Sequence, residues 1–125
     1  MWHSASGKLV YGPGIRAIIE IDQGIVDFYQ SLIPSYHHIK PSRYSAHLTV
    51  VRTEKDKPTK LEHWNKYPGE IIEYQYQDQV LYDGTYWYLN AKSSRIAEIR
   101  EELGLPQFRK SGCYHITLGN SKDDD

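Results

Sequence analysis

The sequence has 125 residues, of which 39% are hydrophobic, and a formal net charge of −1 at pH 7. This length supports one compact core and is too short for two ordinary domains, so we expect a single domain over residues 1–125. The balanced charge excludes the basic field that long nucleic acids require, and it leaves a small anionic ligand as an allowed partner. No apolar run approaches the roughly 20 residues of a membrane helix, so we expect a soluble protein of the cytoplasm.

Cysteine and aromatic usage narrow the class further. Cys113 is the single cysteine, which excludes an intrachain disulfide and a Cys/His cluster at zinc spacing. We therefore expect no metal and no cofactor. Tyr occurs 11 times and Phe twice, a bias typical of half-exposed strands, where a ring packs and its polar tip meets water.

The first half of the chain predicts a strand, a helix and a second strand. Residues 15–22, "IRAIIEID", are rich in β-branched side chains and follow the turn signal "GPG". In "QGIVDFYQSLIP" apolar residues recur at helical spacing until a proline. The run from Tyr44 to Arg52 alternates as a strand, with His47 and Thr49 on the face opposite Leu48.

The second half predicts a hairpin, a helix and a last strand. Asp83-Gly84 lies between two alternating aromatic-rich runs. "SSRIAEIREELGLP" has a serine cap at its start and Gly104 at its end, which indicates a helix. "CYHITLGN" then alternates as a strand with His115 and Thr117 on one face. The chain is therefore expected to be α+β, and the order of its elements suggests a loose internal duplication.

The tetrapeptide His-apolar-Thr-apolar occurs twice, at residues 47–50 and 115–118. Positions i and i+2 of a strand project from one face, so each copy pairs an imidazole with a hydroxyl. An imidazole gives or takes a proton at neutral pH, and a threonine hydroxyl donates to a phosphate oxygen. One copy alone is typical of an ordinary half-exposed strand. Two copies in equivalent places predict metal-free phosphodiester cleavage by four residues, provided the strands lie side by side: His47, Thr49, His115 and Thr117.

The paired tetrads in a small α+β chain resemble the 2H phosphoesterase superfamily. The segments "GKLVYGPG", "YSAHLTVVRTEK", "HWNKYPGE", "REELGLP" and "YHITLGN" resemble its phage branch, which includes the anti-CBASS nuclease. That branch degrades cyclic oligonucleotide second messengers and so disarms a bacterial immune system. The resemblance implies a cyclic di- or trinucleotide substrate, no metal, and a location in the cytoplasm of an infected bacterial host.

The resemblance also carries implications for the fold and the binding residues. It implies a bilobal fold of two pseudo-symmetric antiparallel sheets, flanked by helices, around a central cleft. It further implies aromatic residues that hold the nucleobases. Tyr11 matches one of them by position, although Tyr11 beside Gly12 is equally interpreted as a turn aromatic. Tyr76 is the first candidate for another such residue, followed by Trp64 and Tyr74.

Several alternatives remain open from the sequence. Arg43 and Arg52 flank the first motif. Either one would steer a phosphate or would simply be a solvated charge at the edge of the strand, and the second role is the more common for such residues. The same chemistry would also suit a 2′,3′-cyclic phosphodiesterase acting on RNA ends or small nucleotides. A binding protein that sequesters a nucleotide without cleaving it is the alternative outside the enzymes.

Overall fold

A computed structural model describes residues 1–40, 45–52, 55–107 and 114–121. The elements in this part of the chain are β1 (Trp2–Gly12), β2 (Arg16–Glu20), α1 (Gln23–Ser31), β3 (His47–Val51), β4 (Ile71–Gln77), β5 (Leu81–Tyr82), β6 (Tyr86–Lys92), α2 (Ser94–Glu102) and β7 (Tyr114–Asn120). Single 3₁₀ turns occur at Ser35–His37 and Leu61–His63. The α+β prediction is confirmed.

The described strands form a single antiparallel sheet in the order β4-β1-β2-β3-β7-β6-β5. Because β4 also pairs with β6, six of these strands close into a barrel, and β5 is a short addition outside it. The expected bilobal arrangement of two sheets around a cleft is not confirmed. The physical reason is β1, which pairs with β2 along one edge and with β4 along the other and so joins the two halves.

Strand alternation places the apolar side chains on one face of the sheet, where they pack with the buried residues of both helices. A set of inward residues is fully buried, with a relative accessibility of 0%: Leu9, Ile19, Leu48, Ile72, Tyr74, Leu89 and Ile116. Their neighbours along each strand lie on the opposite face. The core is therefore between one face of the sheet and the helices, and the other face carries the polar residues.

Each helix begins at a side-chain cap that the sequence supplies. Asp22 accepts a hydrogen bond from the amide of Gly24 at 2.9 Å at the start of α1. Ser93 accepts from the amide of Ile96 at 3.3 Å at the start of α2, and its hydroxyl donates to the carbonyl of Glu73 at 2.6 Å. Ser93 thus caps its helix and ties it to β4.

The two halves of the barrel have their strands and helix in the same order. The succession β1, β2, α1, β3 matches the succession β4, β6, α2, β7. In the ring of strands, β3 and β7 meet with Leu48 opposite Ile116, which are equivalent positions of the two tetrads. Ile19 opposes Leu48 on one side, and Leu89 opposes Ile116 on the other. This correspondence supports the internal duplication that the sequence suggests.

A buried arginine holds the end of β3 in place. Arg100 is 1% exposed, and its guanidinium donates to the carbonyl of Val50 at 2.6 Å. The same side chain pairs with the carboxylate of Asp56 at 3.2 Å. A buried charge is tolerated when it is paired and hydrogen-bonded in this way. Through Arg100, α2 fixes the strand that carries the first motif.

Candidate active site

The structure brings the two motif strands together. β3 and β7 are antiparallel neighbours, and Leu48 opposes Ile116. Both of these side chains pack in the core with the buried residues of the helices, so the residues on either side of them project from the opposite face of the sheet, away from the helices. His115 is exposed there, and the other three motif residues are half-buried: His47, Thr49 and Thr117.

The register also determines which motif residues face each other. β3 and β7 share the single pair Leu48–Ile116, and an antiparallel register continued by one residue on each side of it would place His47 opposite Thr117 and Thr49 opposite His115. Directly opposed residues of such strands have Cβ atoms about 4.5–5.5 Å apart. Each imidazole therefore has a hydroxyl on its own strand and another across the strand gap. Two proton-transfer groups and two hydroxyls thus line one small area of the surface.

A hydrogen bond to the backbone defines the tautomer of the neutral His47 ring. Its Nδ1 lies 2.8 Å from the carbonyl oxygen of Ser45. A carbonyl oxygen only accepts, so Nδ1 carries the proton of the bond, and Nε2 carries the lone pair when the ring is neutral. The bond also holds the ring orientation. His47 in this state has the form required of a general base acting through Nε2.

His115 lies against an aromatic ring of β6. Its imidazole centroid is 4.2 Å from that of Tyr88, with the rings tilted by 36°. Tyr88 opposes Thr117 in the sheet, and Asn90 opposes His115. On this side of the motif strands, the face that carries the motif residues continues with the ring of Tyr88 and the amide of Asn90.

The other side of the motif strands has a different chemistry. In β2, Ile18 opposes Thr49 and Glu20 opposes His47. Ile18 is half-buried and Glu20 is exposed. The strand positions equivalent to Tyr88 and Asn90 are therefore occupied by an aliphatic side chain and a carboxylate.

A carboxylate of the β5–β6 turn contributes to the electrostatics of His115. The Asp83 side chain accepts from the amides of Tyr86 at 2.7 Å and Thr85 at 2.9 Å. These bonds, and more weakly the charge of His115, hold the pKa of Asp83 below its usual value. Asp83 is therefore ionised at neutral pH, and its carboxylate is close enough to interact with the charge of His115.

Tyr11 and Trp64 lie away from the motif face. Tyr11 follows the outward Val10 in β1 and packs with the core. Its ring meets Trp64 edge-on, with centroids 5.0 Å apart. Burial raises the pKa of the Tyr11 hydroxyl, and the nearby backbone of Tyr67 and Lys66 offsets part of this rise. These contacts hold Tyr11 as a packed side chain beneath the sheet surface.

Tyr76 lies on the same face of β4 as the buried Tyr74, which is the face that packs against the core. It opposes the buried Ala91 and lies near the rings of Tyr29, at 6.1 Å, and His3, at 5.4 Å between centroids. Tyr74 is fully buried next to it. The structure therefore does not bring the proposed aromatic binding residues onto the face of the four motif side chains, and their contact with nucleobases stays a prediction.

The two arginines have separate outcomes. Arg52 is exposed directly after β3, and its amide donates to Asp56 at 2.9 Å. Arg43 and Cys113 lie outside the described residues.

Two neighbours of the motif were not selected from the sequence, namely Tyr88 and Asn90. The alternation of "TYWYLN" does place them together on one face of a strand. What the sequence lacks is the pairing of that strand with β7, which makes them neighbours of Thr117 and His115.

The described residues contain neither a metal-binding cluster nor a membrane-spanning helix. Among residues 1–40, 45–52, 55–107 and 114–121, no group of three or more His, Cys, Asp or Glu side chains is arranged to hold a metal ion. Neither helix in the same ranges is long and apolar enough to cross a membrane.

The chain matches no family model, no curated protein and no solved structure.

Proposed function

We propose that this protein is a metal-independent phosphodiesterase that hydrolyses the 3′–5′ bonds of cyclic di- and trinucleotide second messengers. The observation that carries the proposal is the pairing of Leu48 with Ile116, because it sets two His–Thr pairs beside each other on an accessible face. The substrate class follows from the resemblance of the motif segments to the phage branch of the 2H phosphoesterases. The same resemblance makes the protein an antagonist of CBASS immunity in the cytoplasm of an infected bacterium.

The proposed first step is an internal attack by the ribose of the substrate. Nε2 of His47 takes the proton of the 2′-hydroxyl next to the scissile bond, and the 2′ oxygen forms a bond to phosphorus. The bond from phosphorus to the 5′ oxygen breaks, and the imidazolium of His115 gives its proton to that leaving oxygen. A 2′,3′-cyclic phosphate and a free 5′-hydroxyl result.

The proposed second step uses the same pair with exchanged roles. His115, now neutral, takes a proton from water, whose oxygen bonds to the phosphorus of the cyclic phosphate. The bond to the 2′ oxygen breaks, and His47 returns its proton to that oxygen. The product is a 3′-phosphate, and both histidines regain their starting states. A site with two matching motifs suits this exchange because each imidazole acts once as base and once as acid.

The threonines are proposed to bind the phosphate that reacts. Thr49 and Thr117 lie diagonally across the strand gap, each opposite the histidine of the other motif. Their hydroxyls would donate to the non-bridging oxygens, where negative charge grows in the transition state. Such donors contribute about 3 kcal/mol each where they have been measured in other enzymes. We further propose that the two halves of the closed sheet correspond to the two lobes of the 2H fold.

A panel of cyclic nucleotides, separated by chromatography after incubation, tests the function. We expect cleavage of at least one cyclic di- or trinucleotide in the presence of EDTA and no cleavage by His47→Ala. A substrate that lacks the 2′-hydroxyl next to the scissile bond should stay intact. Rapid cleavage of this deoxy analogue would contradict the internal attack.

The panel also separates the alternatives. Turnover of an RNA oligonucleotide ending in a 2′,3′-cyclic phosphate, with all cyclic dinucleotides and trinucleotides left intact, would assign the protein to RNA ends. Tight binding followed by recovery of intact cyclic nucleotide from the denatured complex would make it a sequestering protein.

A further inference from the structure

The face of the sheet that carries the motif residues continues beyond His115 as a row of directly opposed residues. Asn90 opposes His115, and its side-chain amide donates to Gln77 Oε1 at 3.4 Å. Gln77 in turn opposes Trp2 in β1. The row His115, Asn90, Gln77, Trp2 thus crosses four adjacent strands, which are β7, β6, β4 and β1.

The amide pair of Asn90 and Gln77 retains one acceptor and several donors. With Nδ2 of Asn90 donating to Oε1 of Gln77, Oδ1 of Asn90 is left as an acceptor and Nε2 of Gln77 as a donor. Interchanging the amide atoms of both residues gives the same inventory. Both side chains are half-buried, so part of their polar surface is held in place and part meets solvent.

This inventory fits the edge of adenine. Adenine presents an amino donor at N6 beside an acceptor at N7, and asparagine or glutamine binds that edge with two hydrogen bonds. Guanine presents two acceptors, O6 and N7, at the corresponding positions, so the amide oxygen that accepts from adenine N6 would face the acceptor O6 instead.

The surroundings of the amide pair suit a nucleotide. Tyr88 and Trp2 supply aromatic rings at the two ends of the row, and the ammonium of Lys92 lies 4.2 Å from the Trp2 ring centroid. Neighbouring strands are about 4.8 Å apart, so the amide pair begins one strand away from His115. A base attached to the ribose at the reacting phosphate is the nearest group that could occupy it.

The matching positions of the first half lack these features. Glu20 occupies the position equivalent to Asn90, and Lys8 opposes it in β1. Ile18 occupies the position equivalent to Tyr88. Aromatic rings and amides are therefore concentrated on the His115 side of the motif strands.

We propose that Asn90 and Gln77 form a nucleobase subsite that selects adenine over guanine at the position adjoining His115. This subsite rests on the proposed function, since it places the base of the nucleotide that is cleaved. It is distinct from the inward-facing Tyr11, Trp64 and Tyr76.

The test compares cyclic di-AMP with cyclic di-GMP as substrates. We expect wild-type protein to favour cyclic di-AMP in kcat/KM by roughly tenfold or more, the scale of one bidentate contact. Asn90→Ala and Gln77→Ala should each bring the ratio close to one, mainly by slowing cyclic di-AMP. Gln75→Ala is the matched control, because Gln75 lies two residues from Gln77 on the same face of β4 and opposes Lys92. It should keep the wild-type ratio.

The outcomes distinguish failure of the subsite from failure of the function. Cleavage of both nucleotides at a ratio that neither variant changes would overturn the subsite and leave the phosphodiesterase intact. If neither is cleaved, calorimetric binding of the two nucleotides to wild-type, Asn90→Ala and Gln77→Ala protein decides. A loss of adenine preference specific to the two variants then supports the subsite, and equal binding by all three overturns it. Circular dichroism spectra establish that each variant is folded.

Discussion

The two halves of the barrel share their motif residues and differ in what lies beside them. On the first side, His47 and Thr49 adjoin Glu20 and Ile18 of β2. On the second side, the equivalent neighbours are an amide and an aromatic ring, Asn90 and Tyr88 of β6. In the proposed function, proton transfer with exchanged roles uses the two motif histidines in the same way, so it needs them in equivalent positions. Binding of particular bases does not need equivalent surroundings, and the neighbours of the two motifs in β2 and β6 indeed differ.

Removing either histidine is the strongest test of the shared part. His47→Ala and His115→Ala should each lower kcat by roughly 10²- to 10⁴-fold, because each imidazole serves in both steps. The measurement is the initial rate on the best cyclic nucleotide of the panel. Both variants should melt at the wild-type temperature, since neither side chain is buried. Near-wild-type activity in one of the two variants would show that the halves are not equivalent in chemistry.

Removing the hydroxyls should have the next largest effect. Thr49→Val and Thr117→Val keep the side-chain shape and should each lower kcat by roughly 10²-fold, the loss typical of one transition-state donor. Thr85→Val, in the β5–β6 turn, is a control that should keep full activity. A rise in KM with unchanged kcat would instead assign the hydroxyls to ground-state binding.

The helix caps extend the comparison to stability. Asp22→Ala should lower the free energy of unfolding by about 1 kcal/mol, the usual value of a cap. Ser93→Ala should cost about 2 kcal/mol, because the buried Ser93 also donates to the carbonyl of Glu73 and its loss leaves that carbonyl unsatisfied. Urea unfolding monitored by tryptophan fluorescence provides both values. Equal losses would mean that the Ser93 bond to β4 adds nothing to its cap.

The smallest expected effect concerns Tyr74. It is fully buried, and its hydroxyl has no hydrogen-bond partner among the described residues. Tyr74→Phe should therefore raise the free energy of unfolding at pH 7 by about 1 kcal/mol. Tyr67→Phe serves as the control, because the hydroxyl of Tyr67 donates to the carboxylate of Glu102 at 2.9 Å and its removal should not stabilise the protein.

The same residue predicts a loss of stability in alkali. Burial raises the pKa of Tyr74 from 10.0 to about 12, so the folded state holds a proton that the unfolded state releases. This contribution is complete below pH 10 and is lost as the pH rises from 10 towards 12. Tyr74→Phe should flatten that part of the stability profile. An unchanged slope between pH 10 and 12 would mean that Tyr74 does not titrate in this range.

Local patterns were enough to predict most elements but not the first strand. The serine cap and Gly104, with its φ of 81°, mark α2 in both sequence and structure. β1 has no such signal, because "WHSASGKLVYG" is rich in small residues that form strands poorly alone. Its strand form depends on β2 and β4. Gly7 is needed there, since an added Cβ would lie 2.3 Å from the carbonyl oxygen of Glu20.

The site was predictable to the extent that it depends on one strand at a time. Alternation assigns His47 and Thr49 to one face without any knowledge of the fold. The closure of the sheet through β4 and β6 is a contact between distant segments, and no local pattern encodes it. The position of Tyr11 illustrates this limit, because its inward direction depends on the pairing of β1 with β2.

The pairing of Leu48 with Ile116 has a consequence for when activity arises. It joins the middle of the chain to the last strand, so the two histidines become neighbours only after β7 has docked. If the proposed function holds, a chain in which β7 has not yet docked has only one of the two histidines in place and should be inactive. Recovery of activity on refolding would then report the final closing of the barrel.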